Sequence, residues 1–117
     1  MSYMLLIVEP IDQRRQRGEP AGRVLYERML EFGADLQSRG VLQASESLAS
    51  TADAVRVTTH AGRPALIDGP FAETKEMVGG FFLLDVATRE EAIAIAAECP
   101  AAEWCSVEVR RTGPCFE

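Results

Sequence analysis

Asp68-Gly69-Pro70-Phe71 ends the apolar run Ala65-Leu66-Ile67 and opens Ala72-Glu73-Thr74-Lys75-Glu76, just ahead of Gly79-Gly80. Asp68 and Glu73 are separated by a turn, so both carboxylates can face one pocket. Two carboxylates in a partly dry cleft raise the proton affinity of one of them, which suits acid–base work on a polar or carbonyl-bearing molecule. On this reading Asp68 is the general base or orienting group and Glu73 its proton partner. Lys75 holds an anionic substrate, Phe71 lines the pocket, and Gly79 lets a ligand approach the backbone. Glu46, between Ser45 and Ser47, is a third candidate pocket carboxylate. Each residue also has a plainer role. Asp68 caps the turn that Pro70 pre-sets. Lys75 pairs with Glu73 or Glu76 on the surface. Gly79-Gly80 forms a bulge, Glu46 is solvated, and Phe71 joins Phe81, Phe82 and Trp104 in core or dimer contacts.

Other chemistries lack their signatures. Phosphate-loop, dinucleotide and nucleophile-elbow motifs are absent. The only histidine, His60, is far in sequence from Cys99, Cys105 and Cys115, and the cysteine spacing fits no zinc pattern. An odd number of cysteines argues against a disulfide framework. Asp68, Glu73 and Glu46 could offer oxygen ligands, but no spacing rule supports an ion site. The sequence therefore predicts no metal and no cofactor. The net charge of -6 argues against nucleic acid as a partner. Tyr3 to Val8 is too short for a signal-peptide core, and no apolar stretch nears the roughly 20 residues of a membrane span. The expectation is a cytoplasmic protein with no membrane partner.

The 117 residues fit one domain, 1–117. Tyr3 to Val8 reads as an interior strand, apolar without alternation. Pro10, Gly18, Pro20 and Gly22 mark residues 10–22 as a loop. Leu25, Met29, Phe32 and Leu36 place one apolar stripe on a helix from about Arg23 to Arg39, ended by Gly40. Val41 to Leu48 is a weaker strand. Val55 and Val57 alternate with polar neighbours, and a turn at residues 60–64 returns the chain through Ala65 to Asp68 as a hairpin. Gly79 to Val86 is a second strong strand. Thr88 and Glu91 form a capping box for a helix that Pro100 stops, with Ala92, Ile93, Ala96 and Ala97 as its packing face. Ser106 to Arg110 is the last strand. The fold class is α+β: a ferredoxin-like βαββαβ pattern with an extra hairpin and both helices on one sheet face. The other sheet face is also apolar. A second copy would cover it, which predicts a homodimer.

The residues Tyr3-Met4-Leu5-Leu6-Ile7, the nine-residue segment Asp68 to Glu76, Gly79-Gly80-Phe81-Phe82, Leu84-Asp85-Val86, Ala101-Ala102 and Val107 to Arg110 together resemble the YCII-related family, in its Asp-Gly-Pro-Phe (DGPF) subgroup. The resemblance implies a dimeric α+β barrel, in which two ferredoxin-like sheets close face to face. Relatives on that barrel span isomerases, cofactor-free monooxygenases and haem enzymes, so fold alone selects no chemistry. The wider family implies a His-Asp pair, whereas His60 here falls in the expected turn. The subgroup's association with extracytoplasmic-function sigma factors implies regulation. Two functions therefore stand side by side: a homodimeric small-molecule-binding or regulatory protein, and a cofactor-free acid/base enzyme for a small polar metabolite.

Overall fold

A computed structural model describes residues 2–117. In chain order the elements are β1 (Ser2–Pro10), α1 (Gln13–Arg17), α2 (Glu19–Ser38), β2 (Leu42–Ser47), β3 (Val55–His60), β4 (Arg63–Asp68), β5 (Glu76–Asp85), α3 (Arg89–Glu98) and β6 (Ser106–Arg111). Single turns of 3-10 helix span Thr51–Asp53 and Pro100–Glu103. Strands β2-β5-β1-β6 make one sheet in that order, and every neighbouring pair is antiparallel. This is the expected ferredoxin-like α+β arrangement. The extra hairpin, β3 with β4, forms a separate two-stranded sheet.

Side-chain alternation along β1 sets the layers. Tyr3, Leu5 and Ile7 are buried on one face, against Phe32 and Leu36 of α2 and Ala92, Ile95 and Ala96 of α3. Phe82 and Leu84 of β5 complete this core, with the Phe32 and Phe82 rings edge to face at 5.1 Å. Met4, Leu6 and Val8 of β1, with Phe81 and Leu83 of β5, alternate onto the opposite face and are only partly covered. Thr88 caps α3 by accepting from the Glu91 N–H at 3.1 Å. The Glu91 carboxylate reaches back one residue further than a strict capping box, to the Ala87 N–H at 3.2 Å.

Two expectations need correction. Residues 10–22 are largely helical: α1 fills 13–17, and α2 begins at Glu19 rather than near Arg23. Gly18, with φ of 85°, makes the sharp joint between the two helices. Pro20 sits in the first turn of α2, where its missing N–H has no intrahelical partner to lose. The second correction concerns α3. Its buried stripe is Ala92, Ile95, Ala96 and then Cys99, while Ile93 and Ala97 are exposed.

Only the second half of α2 is packed down. Phe32 and Leu36 are buried, but Val24, Tyr26 and Leu30 are each at least half exposed. Helix and sheet therefore diverge toward the N-terminus of α2, leaving a groove between them. No helix among the described residues is long and apolar enough to cross a membrane.

Candidate functional site

The period of two that buries Tyr3, Leu5 and Ile7 also turns Glu9 toward the helix side of the sheet. Glu9 is the one buried charged residue among the described residues, its side chain only 9% exposed. A carboxylate there needs a counter-charge, because its desolvation otherwise costs several kcal/mol, on the order of that for any buried ion. Arg14, on α1, supplies it: Nε donates to Glu9 Oε1 at 2.5 Å. The rest of the guanidinium is tied to backbone, with Nη1 donating to the Leu48 carbonyl at 2.8 Å and Nη2 to the Gly79 carbonyl at 3.4 Å. The ion pair thus pins together β1, α1, the end of β2 and the start of β5.

Gly79 has a steric reason to be glycine. A Cβ there would lie 2.4 Å from Glu9 Oε2 and 2.8 Å from Arg14 Nη2. At Gly80 a Cβ would lie 2.8 Å from the Glu46 carbonyl oxygen. The pair of glycines lets the charged side chains and the neighbouring strand close on β5. The register of β5 against β1 shifts between Ile7 and Val8, so a bulge is also present at this point.

The groove above this ion pair has a volume of about 1040 Å³. Leu25, Tyr26, Met29 and Leu30 of α2 form one wall, Ile7, Gly80 and Phe82 of the sheet the floor, and Leu42 with Leu48 the β2 edge. Glu9, Arg14 and Arg17 lie beside Trp104 at its base, and Arg15, Glu19, Arg23 and Glu46 add further charges to its lining. Trp104 stacks with Arg17 and Arg28, whose guanidinium carbons lie 5.9 and 5.6 Å from its ring centre. Gln13 donates to the Trp104 carbonyl at 2.5 Å, and its Oε1 is buried without a partner. Burial, then the Glu9 charge, pushes the Cys105 thiol up to about 11. Burial also pushes the Cys99 thiol up. Neither thiol is a ready nucleophile at neutral pH.

The residues singled out from sequence lie mostly elsewhere. Asp68 ends β4 and is exposed, and its carboxylate makes no hydrogen bond among the described residues. The turn there is held instead by the Gly69 N–H, which donates to the Ala54 carbonyl at 2.7 Å. Glu73 is exposed and pairs with Arg56 at 3.3 Å. Phe71 is buried beneath Arg56, whose guanidinium carbon stands 3.7 Å over the ring. Lys75 is exposed, and its carbonyl accepts from the Ile11 N–H at 2.9 Å. Glu46 is exposed, paired with Phe81 across the sheet, and reaches the groove rim. Of the sequence candidates only Gly79 and Glu46 border the groove. His60 is exposed at the end of β3. Among the described residues no cluster of metal-ligating side chains forms.

Sequence reasoning passed over Glu9 and Arg14, and read Trp104 as a core or dimer contact rather than a groove residue. A usable signal was present: Glu9 continues the odd-numbered buried positions of β1, so a carboxylate stands where an apolar side chain is expected.

The sequence profile of the YCII-related domain matches residues 1–113, and the chain belongs to that family. It is also similar to an uncharacterized protein of Rhizobium meliloti (strain 1021), with 41% identity over 59 residues. That match covers 50% of this chain and 48% of the relative, so the chain spans about half the length of the curated relative it matches.

Proposed function

We propose that this protein binds a small molecule in the groove between α2 and the sheet, and that it does so as a homodimer. The observation that carries the reading is the groove itself: a mostly apolar cleft of about 1040 Å³ with one buried ion pair at its base. Apolar walls with polar groups gathered at the base and rim are the usual character of a ligand site. Dimerisation is supported by the second sheet face, where Met4, Leu6, Val8, Phe81 and Leu83 have no helix over them and Val78 is 42% exposed. The segment Asp68 to Glu76 supports placement in the DGPF subgroup, and with it a ligand-responsive role beside a sigma factor. The acid/base enzyme reading gains less support, since Asp68 and Glu73 are exposed and Glu73 is engaged by Arg56.

The test is a thermal-shift screen of small apolar and amphiphilic metabolites on wild type and Leu30→Trp. Leu30 lines the groove and is half exposed, so a larger side chain narrows the cleft without entering the core. Ligands at about 100 times Kd stabilise by about 2.7 kcal/mol, a shift of several degrees. Shifts present in wild type and lost in the variant support the groove. A screen with no shift, or with equal shifts in both proteins, refutes it. Sedimentation tests the dimer separately: a 12.8 kDa species at micromolar concentration would end that part of the proposal.

A further inference from the structure

From the unpartnered oxygen of Glu9 we infer that the groove selects a neutral, largely apolar molecule carrying a hydroxyl, an alcohol or phenol, which donates to Glu9 Oε2. The inference rests on the groove being a ligand site. Its own ground is the state of the Glu9 carboxylate. Oε1 receives Arg14 Nε, while Oε2 accepts no hydrogen bond among the described residues. The side chain is nevertheless about nine-tenths buried and borders the groove. Oε2 is not sealed off, so its donor comes from solvent or from a molecule in the groove, and a bound hydroxyl supplies one with a short charge-assisted bond.

Charge selects among donors. Arg14 already neutralises Glu9, Arg23 pairs with Glu19, and the lining as a whole sets Arg14, Arg15, Arg17 and Arg23 against Glu9, Glu19 and Glu46. An ammonium ligand would add a positive charge to a place already well supplied with them. A hydroxyl adds none, and any negative charge it develops is met by Arg14 and Arg17. Leu25, Met29, Leu30 and Phe82 then take the apolar body, and Tyr26 offers a ring face for it.

The experiment uses three probes of one shape on the full-length protein: 1-naphthol, 1-methoxynaphthalene and 1-naphthylmethylamine, titrated by fluorescence at neutral pH. 1-Naphthol should bind wild type at least about tenfold more tightly than the methoxy compound, as expected for one hydrogen bond to a charged acceptor. Glu9→Gln should shrink that ratio to about twofold with methoxynaphthalene binding unchanged. Glu9→Asp keeps the charge opposite Arg14 but shortens the reach, and serves the same purpose if Glu9→Gln does not fold. Equal binding of naphthol and methoxynaphthalene to wild type overturns the inference while leaving the groove as a ligand site. So does tighter binding of the amine, or discrimination that survives both variants. Binding of no probe, with no hit in the thermal-shift screen, removes the groove reading itself.

Discussion

Replacing Arg14 with methionine tests the ion pair that joins four elements of this fold. Methionine keeps much of the stem's volume, so the change is chiefly electrostatic. It leaves Glu9 charged and buried, and it strips donors from the Leu48 and Gly79 carbonyls. Removing one partner of a fully buried pair costs about 3–5 kcal/mol. Here the Arg14 side chain is 34% exposed, so water can reach the vacated space and the cost falls to about 2–3 kcal/mol. At roughly 2.1 cal/mol/K of unfolding entropy per residue, a chain of this length loses about 10 °C in Tm. Urea unfolding of wild type, Arg14→Met, Glu9→Leu and the double variant closes a double-mutant cycle. The double variant should recover most of the loss, because two apolar side chains of similar size can replace a buried pair without penalty. An Arg14→Met loss under about 0.5 kcal/mol would show the pair to be an ordinary surface contact. A double variant as unstable as the sum of the singles would refute the coupling.

Gly79→Ala should destabilise by about 1–3 kcal/mol, the usual cost of forcing atoms into a packed site, since its Cβ meets both members of the ion pair; thermal unfolding measures this. Gly33→Ala is the contrast: its Cβ would make an ordinary 3.5 Å contact with Phe82 inside α2, and the helix should gain up to about 1 kcal/mol. Asp68→Asn should change stability by less than about 0.5 kcal/mol, as expected for an exposed side chain without a partner, and a variant that fails to fold would contradict the described turn. Above pH 9 stability should fall. The unfolded chain releases the Cys105 proton near 9 while the folded protein holds it to about 11, so unfolding releases protons in that window and Cys105→Ala should flatten the slope. Native-state alkylation read by mass spectrometry should label Cys115, which is exposed, well before Cys99 or Cys105.

Period and end signals made most of the fold legible. The unbroken apolar run of β1, the 4-3-4 stripe of α2 and the Thr88 cap each state a local preference that the tertiary structure also satisfies. The loop reading of residues 10–22 failed because Pro and Gly carry two meanings. Pro20 reads as a breaker inside a helix but as a start in its first turn, and Gly18 turns the chain between helices instead of ending helical structure. In α3, Ile93 and Ile95 are two residues apart and cannot share a face. Which one is buried depends on the angle at which the helix meets the sheet, which local pattern does not encode.

The site was harder to read because rare residue types mark backbone constraints as readily as chemistry. The segment Asp68 to Phe71 draws the eye with a carboxylate, a glycine, a proline and an aromatic. In the folded chain Gly69 fits where a Cβ would strike the Thr51 carbonyl oxygen at 2.0 Å, and Phe71 is buried under Arg56. An isolated two-stranded hairpin is marginal in water, and these contacts, to Thr51 and Ala54 at its root and to Arg56 on β3, hold the hairpin's own ends together. The groove, by contrast, is lined largely by common apolar residues, and its volume arises from the divergence of α2 from the sheet. No local motif encodes that divergence. What the sequence did carry was one carboxylate out of register with its surroundings, Glu9 in the row of Tyr3, Leu5 and Ile7. A charge placed where strand periodicity demands burial must be paired, and its partner must come from a distant or turned-back element. Following that single requirement leads from β1 to Arg14, to the cramped glycine at position 79, and to the base of the groove.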